Sequence, residues 1–296
     1  MNRSDEWHER RKHFIGASEV ATIMNANPYG NQYELWATKK GMIPPFGGND
    51  ATQLGQDLEG SILDIAERDF GHLDRDVEYK HDSIPLRATL DGETVDGDGI
   101  RCPIECKTAG MLSGRANGWG DDGLVQYADQ VPQHYYVQVQ AQLLVSEMDL
   151  AYLYALMPQR GVVKYKIIAD RDLHSIIEQK VDEWWHRHML GDIPPSMVGV
   201  SSKVLSMLPR QEIEIELDDR VSRVIDELEH AKSERKRLDE KVKMLQTVIV
   251  SELGEADAGS LSDGTLVTYK ETKRKAHTRE VPESAFRTLR VKKVKA

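Results

Sequence analysis

The chain has 296 residues, 40% of them hydrophobic and 30% charged, with a formal net charge of -10. That is enough for one large domain or a medium domain with an appendage, and it excludes a surface uniformly coated with positive potential, so a nucleic-acid partner would have to meet a local basic groove. No stretch approaches the ~18 apolar residues of a membrane span, and the charged start MNRSDEWHERRKHF lacks the apolar centre of a signal peptide; the expectation is a cytoplasmic protein with no membrane partner.

In chain order, Ser18 to Met24 reads as a helix behind a serine cap, Asn27-Pro28-Tyr29-Gly30 as a turn, and Gln32 to Lys40 as a second helix ended by Gly41. From Thr52 to Phe70 the apolar residues Leu54, Leu58, Ile62, Ile65 and Ala66 recur at steps of three and four, predicting an amphipathic helix closed by Gly71, with Glu59 beside the apolar stripe. Short extended pieces follow around 77–80, 86–90 and 104–107, separated by Asp-Gly turns. Gln133 to Met148 fits a helix, 149–157 and 162–169 a hairpin, and Arg171 to Leu190 a charged helix, after which Pro194-Pro195 ends the domain.

After a linker near 195–210, Val221, Val224, Leu228, Ala231, Leu238, Val242, Leu245 and Ile249 alternate steps of three and four, with Arg235 interrupting one core position. This predicts a helical hairpin or coiled-coil appendage. A small hairpin is expected around 261–266, and from Val267 onward ten Lys or Arg stand against three Glu, a basic tail of net +7 that is a solvated arm or a contact for nucleic acid or a partner. The domain expectation is therefore 1–195, then a linker and heptad helix over 196–253, then a hairpin and basic tail over 254–296.

Cys102 and Cys106 are too few for a disulfide framework or a thiolate metal site and read as buried thiols. His186 and His188 alternate on a charged helix with no third ligand nearby, Trp184 and Trp185 read as packing, and Tyr135 and Tyr136 as core or groove wall. Chemistry concentrates in LDGETVDGDGIRCPIECKTA, where Asp91 closes one strand and Glu105 and Lys107 sit on the next. Such a set can hold a divalent cation through oxygen ligands while the lysine orients a water or helps to deprotonate it, as phosphodiester hydrolysis needs; the same residues could equally form a cross-strand ion pair, and Asp96 and Asp98 are ordinary turn chemistry.

The ordered run WHERRKHFIGASEV, LGQDLEG, TLDG, IECKT and YYVQVQAQLLV, spanning about 7–190 with its flanks, resembles the phage lambda exonuclease and YqaJ-type recombinase nucleases of the PD-(D/E)XK superfamily. The resemblance implies an α/β fold, a mixed central sheet flanked by helices, followed here by a C-terminal helical appendage. It implies that Asp91, Glu105 and the backbone carbonyl of Cys106 are metal ligands, that Lys107 is the catalytic lysine, and that Glu59 and Gln138 complete the site. Arg11 and Ser18 match the pair that captures a 5′-terminal phosphate. Thr89-Leu90 replaces the proline often found before the aspartate, and the loop between Asp91 and Glu105 is acidic and glycine-rich; neither departure removes a ligand.

The function so implied is a Mg²⁺-dependent deoxyribonuclease, with one or two ions and Mn²⁺ as a substitute, degrading double-stranded DNA ends 5′ to 3′ to leave 3′ single strands for phage-type recombination. The resemblance also implies a homo-oligomer, a trimeric ring around DNA, and a single-strand annealing protein as partner. An end-specific endonuclease on the same core and a non-catalytic DNA-binding scaffold are the alternatives; the intact Asp91, Glu105 and Lys107 argue against the scaffold.

Overall fold

The computed structural model describes residues 5–112, 118–208 and 214–273. Its elements are α1 (Asp5–Arg11), β1 (Ile15–Gly16), α2 (Ala17–Ile23), α3 (Gln32–Lys39), α4 (Asp50–Phe70), β2 (Asp74–Lys80), β3 (Leu86–Val95), β4 (Arg101–Thr108), β5 (Gly123–Val125), α5 (Gln133–Ser146), β6 (Leu150–Met157), β7 (Gly161–Ile168), α6 (Arg171–Trp184) running into a π-helical turn (Trp185–Leu190), α7 (Ser202–Met207), α8 (Arg220–Leu253), β8 (Ala258–Ser260) and β9 (Leu266–Thr268). They form two compact units, Met1–Pro209 and Arg210–Ala296.

A seven-stranded sheet organises the first unit in the order β1-β3-β4-β6-β7-β5, with β2 on the outer edge of β3. It is mixed: β1 with β3, β4 with β6, and β5 with β7 are parallel, and the other pairs antiparallel. The parallel step from β4 to β6 needs a long crossover, and α5 supplies it. The fold is the mixed sheet flanked by helices that the sequence implies.

Residue periodicity sets the layers. On β4, Ile104 and Cys106 pack with Ile62, Leu63 and Ala66 of α4; Glu105, pointing to the opposite face by strand alternation, is reached by Gln138 and Gln142 of α5. The two helices therefore cover opposite faces of β4. α5 contributes Val137, Ala141 and Val145 to the cluster shared with α2, α3 and α6, and Tyr136, Val139 and Leu143 to the cluster over β6 and β7. A helix apolar on two sides is central to the unit. Asn49 caps α4 by accepting the Thr52 N–H at 3.0 Å, and Gly71 ends it at φ 88°, a left-handed turn that glycine adopts without a Cβ penalty.

The first unit extends past the expected boundary at Pro195. Val200, Val204 and Leu208 pack against the core that holds Trp36 and Trp184, and Asn31 donates to the Val198 carbonyl at 3.0 Å. The expected linker thus contains α7 and a segment docked on the first unit. In the second unit, the heptad segment is one continuous helix, α8, rather than a helical hairpin, and β8 pairs antiparallel with β9 where the small hairpin was expected. The basic tail beyond residue 273 lies outside the described residues. No helix among the described residues is long and apolar enough to cross a membrane.

Candidate active site

β3 is the hub of the sheet. Its outer edge pairs with β2 over most of its length, while the inner edge is shared: Leu86 and Arg87 pair with β1, and Gly92 to Val95 pair with β4. Between these two partners the inner edge is open over 88–91, and Asp91 stands at the mouth of that fork. The β3–β4 register, with Gly92 opposite Ile104, sets Asp91 one step further, across from Glu105. Lys107 follows Glu105 at the strand period, on the same face.

Hydrogen bonds fix these side chains. Asp91 Oδ2 accepts the Cys106 N–H at 2.7 Å. Glu105 is only 1% exposed; its Oε1 accepts from Lys107 and, at 2.6 Å, from Gln138 Nε2, while Oε2 accepts from Gln142 Nε2. Gln138 and Gln142 are one helical turn apart on α5, so both fall over the same carboxylate. In an extended strand the N–H and C=O of one residue leave by the same edge, which directs the Cys106 carbonyl to the fork as well. Lys107 lies 5.3 Å from the centre of the Tyr135 ring, which in turn contacts Trp119 and His134.

The electrostatics follow from crowding acidic groups in a dry place. Burial, then the charge of Glu105 and, more weakly, that of Glu59, push the Asp91 carboxyl well above the ordinary carboxylate range, against the pull of Lys107 and the Cys106 N–H. The Cys106 thiol is pushed up for the same reasons, by burial first and then by Asp91, Glu105 and Glu59. Burial opposes the charge on Lys107, yet Glu105 and Asp91 outweigh it and raise the Lys107 ammonium above its ordinary value. Glu59, on α4, thus adds its negative charge to the field around the carboxylate pair.

Arg11 and Ser18 are placed at a second point. The Arg11 guanidinium pairs with Glu19 Oε1 at 3.0 Å and covers the Trp7 ring at 4.7 Å. It lies against Gly16, which precedes α2, where a Cβ would collide with its Nη2; Ser18 is exposed on the first turn of that helix. Glu19 Oε2 accepts from Lys39 at 2.9 Å and from the Gly16 N–H at 2.7 Å. Lys39, 5% exposed, also donates to the carbonyls of Arg11 and Phe14 at 2.8 and 2.7 Å. Lys39 and Arg11 together hold the Glu19 carboxyl below its ordinary value, although burial opposes them.

The other motif residues take structural places. Cys102 and Cys106 are free and buried. His188 is buried and bonded to the Ile193 carbonyl, while His186 is paired with Asp182 at 3.1 Å, so the two rings do not converge. Trp184 is buried in the core and Tyr136 packs under β6 and β7. Gln142 had not been singled out in the sequence, although its position one turn after Gln138 is the signal that could have found it.

Among the described residues no group of three or more His, Cys, Asp and Glu side chains is gathered as a ready metal cage. The donor chemistry nonetheless fits Mg²⁺, which takes one or two carboxylates and completes its octahedron with water and substrate oxygens. Glu105 is, in addition, buried and Asp91 half-buried beside it, like charges that a cation would relieve.

The mixed sheet between helical layers, with Asp91, Glu105 and Lys107 gathered at a strand fork, is the arrangement that the resemblance to PD-(D/E)XK nucleases implies. Residues 6–149, just under half of the chain, match the model of the YqaJ-like viral recombinase domain. The chain is 28% identical over 208 residues to the uncharacterized protein YqaJ of Bacillus subtilis (strain 168), an alignment that covers 67% of this chain and 60% of that relative. Two solved structures are also similar. An alkaline exonuclease (LHK-Exo) of Laribacter hongkongensis is 19% identical, with a TM-score of 0.45 over 64% of this chain and 94% of that one. A phage-related exonuclease of Haemophilus somnus 129PT is 13% identical, with a TM-score of 0.45 over 61% and 96%.

Proposed function

We propose that the protein is a Mg²⁺-dependent deoxyribonuclease that hydrolyses linear double-stranded DNA from its ends, 5′ to 3′, as a step in phage-type recombination. The observation that carries the reading is the convergence of Asp91, Glu105 and Lys107 at the fork, inside the region that matches the YqaJ-like viral recombinase domain. Asp91, Glu105 and the Cys106 carbonyl would hold the metal ion, which supplies a more acidic bound water and neutralises charge on the phosphate. Lys107, fixed by Glu105 and lying beside Tyr135, would orient the water against the phosphodiester. Glu59 would supply further negative charge, and Gln138 would hold Glu105 in place.

The polarity rests on Arg11 and Ser18. A guanidinium fixed by Glu19 and a hydroxyl on the first turn of α2 have the donor chemistry to receive a terminal phosphate, and an end bound there would be oriented with its 5′ phosphate leading. The test is digestion of linear duplex labelled at either end, with 5′ phosphate or 5′ hydroxyl, in Mg²⁺, in Mn²⁺ and in EDTA, beside a covalently closed circle. Mononucleotides released from 5′-phosphorylated ends only when metal is present is the expected result. Cutting of the circle would point to the endonuclease alternative, and binding without hydrolysis to the scaffold.

A further inference from the structure

We propose that α8 is a dimerisation element, pairing antiparallel with α8 of a second copy in the register that sets Leu228 against Leu245, and Arg235 against Leu238, of that copy. The inference uses the second unit alone and stands apart from the proposed chemistry.

α8 runs for 34 residues, none of them buried; Leu238, Val242, Leu245 and Ile249 are 54, 52, 48 and 49% exposed. A helix of this length, about 50 Å, draws most of its stability in a protein from burying one face. The spacing says what covers it. Val221, Leu228, Arg235, Val242 and Ile249 recur at one heptad position and Val224, Ala231, Leu238 and Leu245 at the other, an unbroken seven-residue repeat. A strict period of seven matches a supercoiled helical partner rather than a flat surface.

The flanking charges select orientation and register. In a parallel pair, the residue before one core position faces the residue after the other core position of the next heptad, which sets Glu227 against Lys232 favourably but Glu234 against Asp239 unfavourably. In the antiparallel pair proposed, Glu234 faces Lys241 and Lys232 faces Asp239, and the twofold axis repeats both contacts. Sliding one copy by a heptad in either direction sets either Glu234 and Lys232, or Lys241 and Asp239, against themselves. The apolar layers agree with the same register: Val224 meets Ile249, Leu228 meets Leu245, and the small Ala231 meets Val242. Arg235 lays its stem along Leu238 of the second copy and leaves its guanidinium in water, and a polar residue at one core position helps to fix a register.

The test uses the full chain with Leu228→Cys and Leu245→Cys made separately. The native thiols are buried, so disulfides formed under mild oxidation report on α8 itself, whatever the first unit does. After subunit exchange under reducing conditions, oxidation should link an equimolar mixture of the two variants and leave either variant alone unlinked. Linkage of a single variant with itself would mean a parallel pair and overturn the proposal, as would a mixture that stays unlinked. Because a cysteine in the seam could itself weaken association, a surface pair gives a second reading by sedimentation. Lys241→Glu should weaken dimerisation roughly tenfold, and Glu234→Lys added to it should restore the wild-type value. In the parallel arrangement Lys241 faces the neutral Gln246, so indifference to Lys241→Glu would sink the antiparallel register, and a wild-type chain that sediments as a monomer would sink the proposal altogether.

Discussion

Asp91 Oδ2 accepts the backbone N–H of Cys106 at 2.7 Å, so a side chain of β3 takes the place of a backbone partner where the ladder with β4 opens. The bond locks the Asp91 carboxylate beside Glu105 although the two repel in a buried setting. Asp91→Asn keeps an acceptor for that N–H while removing the repulsion. In EDTA its melting temperature should rise by about 2–4 °C, the amount expected for roughly 1 kcal/mol in a protein of this size. Hydrolysis should fall by at least about 1000-fold, since several kcal/mol of metal-dependent stabilisation is lost. Differential scanning fluorimetry with and without Mg²⁺, beside a nuclease assay, checks both: Mg²⁺ should stabilise the wild type and not the variant. A variant that is less stable and still active would remove Asp91 from the site.

Gln142 donates to Glu105 Oε2 from inside the core, 1% exposed. Gln142→Leu fills similar space but leaves the carboxylate short of a donor, so Glu105 turns more freely. Loss of a group that orients a metal ligand typically weakens metal affinity or activity 10- to 100-fold. A Mg²⁺ titration of the initial rate should show the half-saturating concentration rising by about that factor, with the maximal rate recovered in excess Mg²⁺. A lower maximal rate at unchanged Mg²⁺ dependence would assign Gln142 to packing instead.

How much of this was legible in the sequence depends on the range of the contact. Asp91, Glu105 and Lys107 could be read because strand alternation and a short turn bring them together within seventeen residues of chain. Gln142 was legible in principle through its one-turn spacing from Gln138. The Glu19–Lys39 pair was not, because it forms only when α3 crosses the start of α2, and no periodicity records a crossing. α1, DEWHERR, carries charges on every side and so has no apolar stripe to reveal it, and β5 is a three-residue strand. The boundary after Pro195 was misleading for a related reason: a proline pair ends a helix, but it does not prevent the chain from packing onward.

Lys107 pairs with Glu105 and lies beside Tyr135 rather than at the outer surface. Lys107→Met should therefore reduce kcat by about 100-fold or more while changing DNA affinity, measured by anisotropy in Ca²⁺, by less than about threefold, the pattern of an interaction made in the transition state. Equal losses in both would identify a phosphate anchor.

Lys39 has three acceptors, Glu19 and the carbonyls of Arg11 and Phe14. Lys39→Met takes the donor from the Arg11 and Phe14 carbonyls and leaves Glu19 to Arg11 and the Gly16 N–H alone, and removing one partner of a buried ion pair costs on the order of 3–5 kcal/mol, which corresponds to a melting temperature lower by about 10 °C. The pH dependence has a definite sign. Glu19 titrates below its ordinary 4.5 in the folded protein, so its contribution is fully present above that value and is lost as the pH falls through the folded value. Without Lys39 the Glu19 carboxyl rises, and acid unfolding should begin at higher pH than in the wild type. Because Arg11 leans on the same carboxylate, the preference for 5′-phosphorylated ends should weaken too. Arg11→Ala should erase that preference outright, about tenfold to a hundredfold for a charge-assisted contact of 1.5–3 kcal/mol, while leaving the rate on pre-bound substrate intact.

Two truncations separate the units. The first unit closes at Pro209, and every motif residue from Arg11 to Gln142 lies inside it. A chain ending there should fold cooperatively, melt near the wild-type temperature of that unit, and hydrolyse DNA with the metal dependence of the full chain. A chain ending at Pro195 removes Val200, Val204 and Leu208 from the core cluster, together with the contacts of Asn31 with the Val198 carbonyl and of Glu34 with the Ser201 N–H. Each apolar side chain withdrawn uncovers partners that had been shielded from water, at about 25 cal/mol per Å², so the shorter chain should be several kcal/mol less stable and prone to aggregate through the exposed patch around Trp36. Urea denaturation of both, followed by Trp fluorescence, measures the difference. Equal stability of the two would place the end of the fold at Pro195 and make α7 a passenger, whereas an unfolded Pro209 truncation would show that the second unit is needed to hold the first.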